Sequence, residues 1–151
     1  MLGPGESYSE TFPAVATSVP NARAAITEFA REAGAKGDRL QAIRLAASEA
    51  VTNAVVHAYN GAPGAIQVTA SYVPGEVWVL ISDCGSGLRT RAGRSGLGLG
   101  LVLIAQLADE FEIASRGTGG TELRMLFRLR SRGRPDPDQP RGSVSSALAP
   151  A

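Results

Sequence analysis

Lysine is almost missing from this 151-residue chain: Lys36 is the only one among 15 basic residues. Those 15 face 14 acidic residues, for a net charge of +1. The cationic surface that nucleic-acid binding by phosphate neutralisation needs is therefore lacking. Aromatics make up only 5%, which argues against a ring platform for stacking bases. A single cysteine rules out an intrachain disulfide framework and a cysteine-rich zinc site, and fits a reducing compartment. A single histidine rules out a two-His metal motif. No apolar run approaches the roughly 20 residues that span a bilayer. The opening MLGPGESYSETF has no basic stretch leading into an apolar one, so it does not read as a signal peptide. The expectation is a soluble cytoplasmic protein with no direct nucleic-acid or membrane partner.

Glycine, by contrast, is in excess. The chain has 18, where a content of about 7% would give roughly ten. Nine of the 18 lie between Gly85 and Gly120, so the excess is local and asks for a local reason. The length suits one domain. We expect a flexible segment over 1–7, a folded domain over 8–130, and a disordered tail over 131–151, where RGRPDPDQPRGSVSSALAPA has no core-forming pattern.

Periodicity places the elements. Residues 8–12 suit an edge strand, followed after Pro13 by a turn at Ser18-Val19-Pro20. Ala22, Ala25, Ile26, Phe29, Ala30 and Ala33 recur at helical steps and stop at Gly34. Asp38 is expected to cap a longer helix with Leu40, Ile43, Ala47, Ala50, Val51, Ala54 and Ala58 on its apolar face, ending near Tyr59-Asn60-Gly61. Alternation predicts strands over 65–73 and 76–83 with a turn at Pro74-Gly75. A Gly-, Ser- and Arg-rich loop runs from Cys84 to Ser95. A helix over 97–108 and strands over 110–115 and 121–129, joined through Arg116–Gly120, complete the pattern. Early helices and late antiparallel hairpins suggest an α+β two-layer sandwich, with helices packed on a mostly antiparallel sheet.

Four clusters carry polar chemistry. Glu49, Asn53 and His57 stand at i, i+4 and i+8, in line on one side of the long helix, flanked by Ala46, Ala50, Ala54 and Val56. Such a line is either a solvated helix face, or a carboxylate able to accept a proton beside an amide oxygen able to ligate a hard cation. Asp83-Cys84-Gly85-Ser86-Gly87 leaves a strand. It is either a plain turn, or a carboxylate that accepts from an exocyclic amine while the glycines let a ligand approach the backbone. Gly96, Gly98 and Gly100 open a helix at a cost in helix propensity. Backbone N–H groups at such a terminus suit an anion. The pattern is neither G-x-G-x-x-G, because position 101 is Leu, nor a P-loop, because the only lysine is Lys36. Gly120-Thr121, at the head of the last strand, says little alone.

In order and spacing these pieces resemble the Bergerat-fold ATPases and kinases, the group of gyrase, Hsp90, histidine kinases and MutL. Within it the chain is most similar to the bacterial serine-protein kinases that act as anti-sigma factors. Ser48–Tyr59 matches the N box, Asp83-x-Gly85-x-Gly87 the G1 box, Gly96-x-Gly98-x-Gly100-Leu101 the G2 box, and Gly120-Thr121 the closing element, within a resemblance covering roughly 8–129. It implies the following roles. Asn53 would hold the Mg²⁺ that bridges the phosphates of ATP, and Glu49 would be the general base on a substrate serine. Asp83 would read the adenine amino group, with Thr121 supporting it directly or through water. Gly85, Gly87, Gly96, Gly98 and Gly100 would line the nucleotide path under a lid over 88–95, where Arg89, Arg91 or Arg94 could neutralise phosphate charge. His57 would orient or pack rather than react. The implied partners are an anti-sigma-factor antagonist as serine substrate and a sigma factor, with a possible homodimer. A histidine-kinase reading is set aside because the sole His lies inside the N box. Two rivals stand beside the kinase: a non-catalytic regulator whose shape ATP controls, and an interaction domain without nucleotide.

Overall fold

The computed structural model describes residues 2–59, 62–85, 97–117 and 119–129. Strand β1 (Ser7–Pro13) leads into helices α1 (Ser18–Glu32) and α2 (Gly37–His57). Strands β2 (Ala65–Val73) and β3 (Glu76–Asp83) follow, then α3 (Leu97–Leu107), β4 (Glu110–Ser115) and β5 (Thr121–Arg128). The five strands form one sheet in the order β1-β2-β3-β5-β4, and every pairing is antiparallel. The helices cover one face of it, which is the expected α+β sandwich.

Period two sets the buried face of the sheet. Ile66, Val68 and Ala70 of β2, Val77, Val79 and Ile81 of β3, and Leu123, Met125 and Phe127 of β5 are all buried against the helices. Ile26 of α1, Ile43 and Val51 of α2 and Ile104 of α3 meet them at full burial. Alanines at 46, 47, 50 and 54 let α2 lie close to its neighbours, because a methyl group is all that must fit between the backbones.

Helix boundaries show where local rules held. Gly34, at φ +106°, ends α1. Its N–H donates to Arg31 O (3.0 Å) and that of Ala35 to Ala30 O (2.9 Å), the paired bonds of a Schellman motif. Two expectations fail. The turn at Ser18-Val19-Pro20 is instead the first turn of α1, where a proline is tolerated because the first N–H groups have no helical partner anyway. Asp38 is not the cap of α2: Lys36 occupies that position without a side-chain cap bond. Asp38 sits inside the first turn, where its charge complements the helix dipole. The segment expected to be flexible at the N-terminus is tied to β2 at its end. Gly5 N–H donates to Tyr72 O and Tyr72 N–H to Glu6 O, each at 3.0 Å, while Leu2 packs against the core.

Candidate nucleotide site

The site sits where the C-terminal half of α2, the start of α3 and the adjoining ends of β3 and β5 converge. Its floor is a small cavity of about 10 Å³, about the least space that admits one water, lined by Ala50, Asn53, Ala54, Ile81, Asp83, Leu101, Ile113, Thr121 and Leu123. Its lining is mostly apolar, with the polar side chains of Asn53, Asp83 and Thr121 converging on it.

Asp83 ends β3 and is only 4% exposed. Its register partner across the sheet is Thr121, the first residue of β5. One carboxylate oxygen, Oδ1, accepts from the N–H of Gly85 (3.0 Å) and from that of Thr121 (3.3 Å). The side chain is therefore held by backbone, its orientation set by the chain just after it and by the neighbouring strand. Arg116 donates from Nη1 to the Asp83 carbonyl (3.4 Å) and to Cys84 Sγ (3.5 Å), closing the outer side. Gly120 has φ +91°, and a Cβ there would stand 1.9 Å from the Asp83 carbonyl oxygen. Gly85 is equally constrained, since its Cβ would lie 1.8 Å from Ala58 O.

On α2, Glu49 and Asn53 stand one turn apart, the first half-buried and the second 9% exposed. Helix α3 meets them through Gly100, whose added Cβ would be 3.2 Å from Glu49 Oε2 and 3.3 Å from both side-chain heteroatoms of Asn53. His57, the third member of the line, is half-buried and engaged with its surroundings. Val56, which flanks this line, is 54% exposed. Two polar atoms of the pocket have no hydrogen-bond partner among the described residues although they are buried: Asn53 Nδ2 and Thr121 Oγ1. Buried polar groups are normally paired, so both point to a bound molecule or water as the missing partner.

The structure thus brings Asn53, Asp83 and Thr121 together on one pocket and sets Glu49 beside it, with Gly85 and Gly100 at the two close approaches. Gly98 lies in the first turn of α3. Gly87, Gly96, the lid over 88–95 with its arginines, and the tail over 131–151 lie outside the described residues. Sequence reasoning missed Arg116 and the demand at Gly120. A positive-φ glycine pair before a strand signals a special turn, but the carbonyl it must clear lies across the sheet. It also missed Tyr59, whose hydroxyl donates to Ala65 O (2.5 Å) and accepts from Cys84 N–H (3.0 Å).

A model of the histidine kinase-like ATPase domain matches residues 12–127. This chain belongs to that family. Among the chains similar to this family member is the anti-sigma F factor of Caldanaerobacter subterraneus subsp. tengcongensis, 29% identical over 115 residues that cover 69% of this chain and 80% of the relative. The anti-sigma F factor of Anoxybacillus flavithermus is 26% identical over 130 residues, covering 78% and 89%. The crystal structure of the RsbU and RsbW domains of a Mycobacterium tuberculosis protein superposes with a TM-score of 0.65 at 29% identity. That match covers 82% of this chain but 32% of the longer one. As a histidine kinase-like ATPase domain the chain is an ATP-binding module. Among the described residues no helix is long and apolar enough to cross a membrane.

Proposed function

We propose that this domain is an ATP- and Mg²⁺-dependent protein-serine kinase that acts as an anti-sigma factor, phosphorylating an anti-sigma-factor antagonist and sequestering a sigma factor. The names of the similar chains support the regulatory half of this reading. One observation supports the chemical half: Glu49 Oε2 and Asn53 face the same point of α3, where Gly100 leaves room at 3.2–3.3 Å. A carboxylate and a cation-ligating amide side by side next to a nucleotide pocket are what phosphoryl transfer to a hydroxyl requires.

The chain's own residues would divide the work as follows. Asp83 accepts from the exocyclic amine of adenine, and Thr121 Oγ1 completes the contact to the base edge, directly or through the single water the cavity can hold. Ile81, Leu101, Ile113 and Leu123 exclude bulk water from the ring. The first turn of α3 offers backbone N–H groups and the positive end of the helix dipole to the phosphates, with Gly98 and Gly100 keeping side chains out of the way. Asn53 presents its amide oxygen to the metal. Bound Mg²⁺ supplies charge neutralisation on the phosphate oxygens. Glu49 takes the proton of the substrate serine as its oxygen bonds to the γ-phosphorus and the bond to the bridging oxygen breaks, leaving ADP and phosphoserine.

The test is incubation with Mg-ATP and candidate antagonist domains, followed by analysis for phosphoserine. Wild type is expected to phosphorylate one antagonist, and Glu49→Ala to lose at least about 10²-fold of the rate, the ordinary contribution of a general base. Equal transfer by both proteins would remove Glu49 from this role. ATP binding without any phosphoserine would leave the non-catalytic regulator as the better description.

A further inference from the structure

Tyr59 does not line the pocket, yet it joins three segments that the pocket depends on. It follows the C-terminal end of α2, four residues after Val55 and six after Asn53. Its hydroxyl donates to the carbonyl of Ala65, the first residue of β2 (2.5 Å), and accepts from the N–H of Cys84, the residue after Asp83 (3.0 Å). The ring is confined as well: a Cβ on Gly64 would lie 2.4 Å from it. On the other side of Cys84, the Gly85 backbone packs so closely on Ala58 that a Cβ would stand 1.8 Å from its carbonyl. The chain leaving β3 is therefore pinned against the end of α2 at two consecutive residues, Cys84 and Gly85.

That pinning bears on Asp83. Among the described residues Gly85 N–H is one of two backbone donors to the Asp83 carboxylate, and Gly85 follows Cys84 directly, so a shift of Cys84 is passed on to it. We propose that Tyr59 is a positioning residue for recognition of the nucleotide base, its hydroxyl fixing the Asp83–Gly85 turn against the end of α2. It acts through Asp83 and touches neither base nor phosphate. It also ties the base-reading carboxylate on β3 to the helix that carries Glu49 and Asn53, so the two halves of the site keep one spacing. This rests on the nucleotide reading of the pocket given above.

Tyr59→Phe keeps the ring and removes both hydroxyl bonds. Binding of Mg-ATP, Mg-GTP and inorganic tripolyphosphate to the full chain, followed by calorimetry, separates the roles. Loss of a positioning bond predicts ATP affinity weaker by about tenfold and a narrowed preference for ATP over GTP. Tripolyphosphate, which has no base, should bind the variant as it binds wild type. In a double-mutant cycle, adding Tyr59→Phe to Asp83→Asn should weaken ATP binding no further. Gly64→Ala is the second variant: it keeps the hydroxyl but displaces the ring, should show the same base-selective loss, and decides the matter if Tyr59→Phe does not fold. Unchanged ATP affinity and preference in a folded variant would overturn the proposal, as would equal losses for ATP and tripolyphosphate. If wild type itself bound no ATP, the nucleotide reading would fall and this proposal with it. Wild-type binding left intact by both variants would overturn the proposal alone.

Discussion

Asp83 and Thr121 face each other across the β3–β5 ladder, and the Thr121 N–H donates to Asp83 Oδ1 at 3.3 Å while the Thr121 hydroxyl has no partner among the described residues. One residue thus has two separable duties: its backbone orients the carboxylate and its side chain faces the pocket. Thr121→Val removes only the second. Val has nearly the same shape, and an unpaired buried hydroxyl costs about 1–3 kcal/mol. Without nucleotide the variant should be as stable as wild type or more so by thermal unfolding. Its ATP affinity should fall about tenfold, the loss of one hydrogen bond in a desolvated site. A variant that loses stability and keeps its ATP affinity would show that the hydroxyl serves the fold.

Gly120 makes that pairing possible. At φ +91°, with a would-be Cβ 1.9 Å from Asp83 O, Gly120→Ala faces both a left-handed backbone penalty of about 1–2 kcal/mol and a backbone clash that no side-chain rotation relieves. A clear fall in melting temperature is expected, together with weakened ATP binding because the Asp83–Cys84 backbone must move. Gly117→Ala, in the same connection but with open space around it, should stay within about 0.5 kcal/mol of wild type. Similar losses in both would point to general fragility of the connection and away from the contact with Asp83.

Substitution at Asn53 tests the proposed metal contact apart from recognition of the nucleotide base. If its amide oxygen ligates the cation, Asn53→Ala should weaken Mg-ATP binding by about tenfold or more and weaken ATP binding in EDTA far less. Titrations with and without Mg²⁺ read this directly. An equal loss in both conditions would assign Asn53 to the nucleotide itself.

How much of this was legible in the residues follows from the range of the interaction. Strands β2 and β3 begin and end where alternation placed them, because a sheet with one buried face writes its period into neighbouring residues. The Glu49–Asn53 line was visible as spacing, since i and i+4 share a helix side by geometry alone. That Asn53 is buried while Val56 is exposed was not visible, because it depends on which side of α2 the other elements cover. Asp38 was misassigned as a cap because a polar residue near a helix start satisfies the same local pattern whether it stands at the cap or in the first turn. Tyr59, Arg116 and Gly120 matter through contacts with Asp83, its carbonyl or Cys84. Those residues are 25 to 37 positions away in the chain, beyond what any local pattern encodes.

Gly100 offers the sharpest conflict between helix and site. In an exposed helix, Gly→Ala stabilises by about 1 kcal/mol, because Ala loses less backbone freedom and has the higher propensity. Here the added methyl would stand 3.2 Å from Glu49 Oε2 and 3.3 Å from the Asn53 amide, closer than nearly all such contacts. Both neighbours are ends of side chains that can rotate away, so the fold can accommodate the change. Their rotation, however, would take the proposed base and the proposed metal ligand out of line at the same moment. Gly100→Ala should therefore unfold at a temperature equal to or above that of wild type. Its rate of phosphoserine formation should fall by about 10²-fold, the scale on which a misplaced group of about 1 Å acts, while ATP binding through Asp83 is largely kept. Measuring melting temperature, ATP affinity and transfer rate on the same preparation decides it. A stable variant with undiminished transfer would show that Glu49 and Asn53 do their work elsewhere than over Gly100.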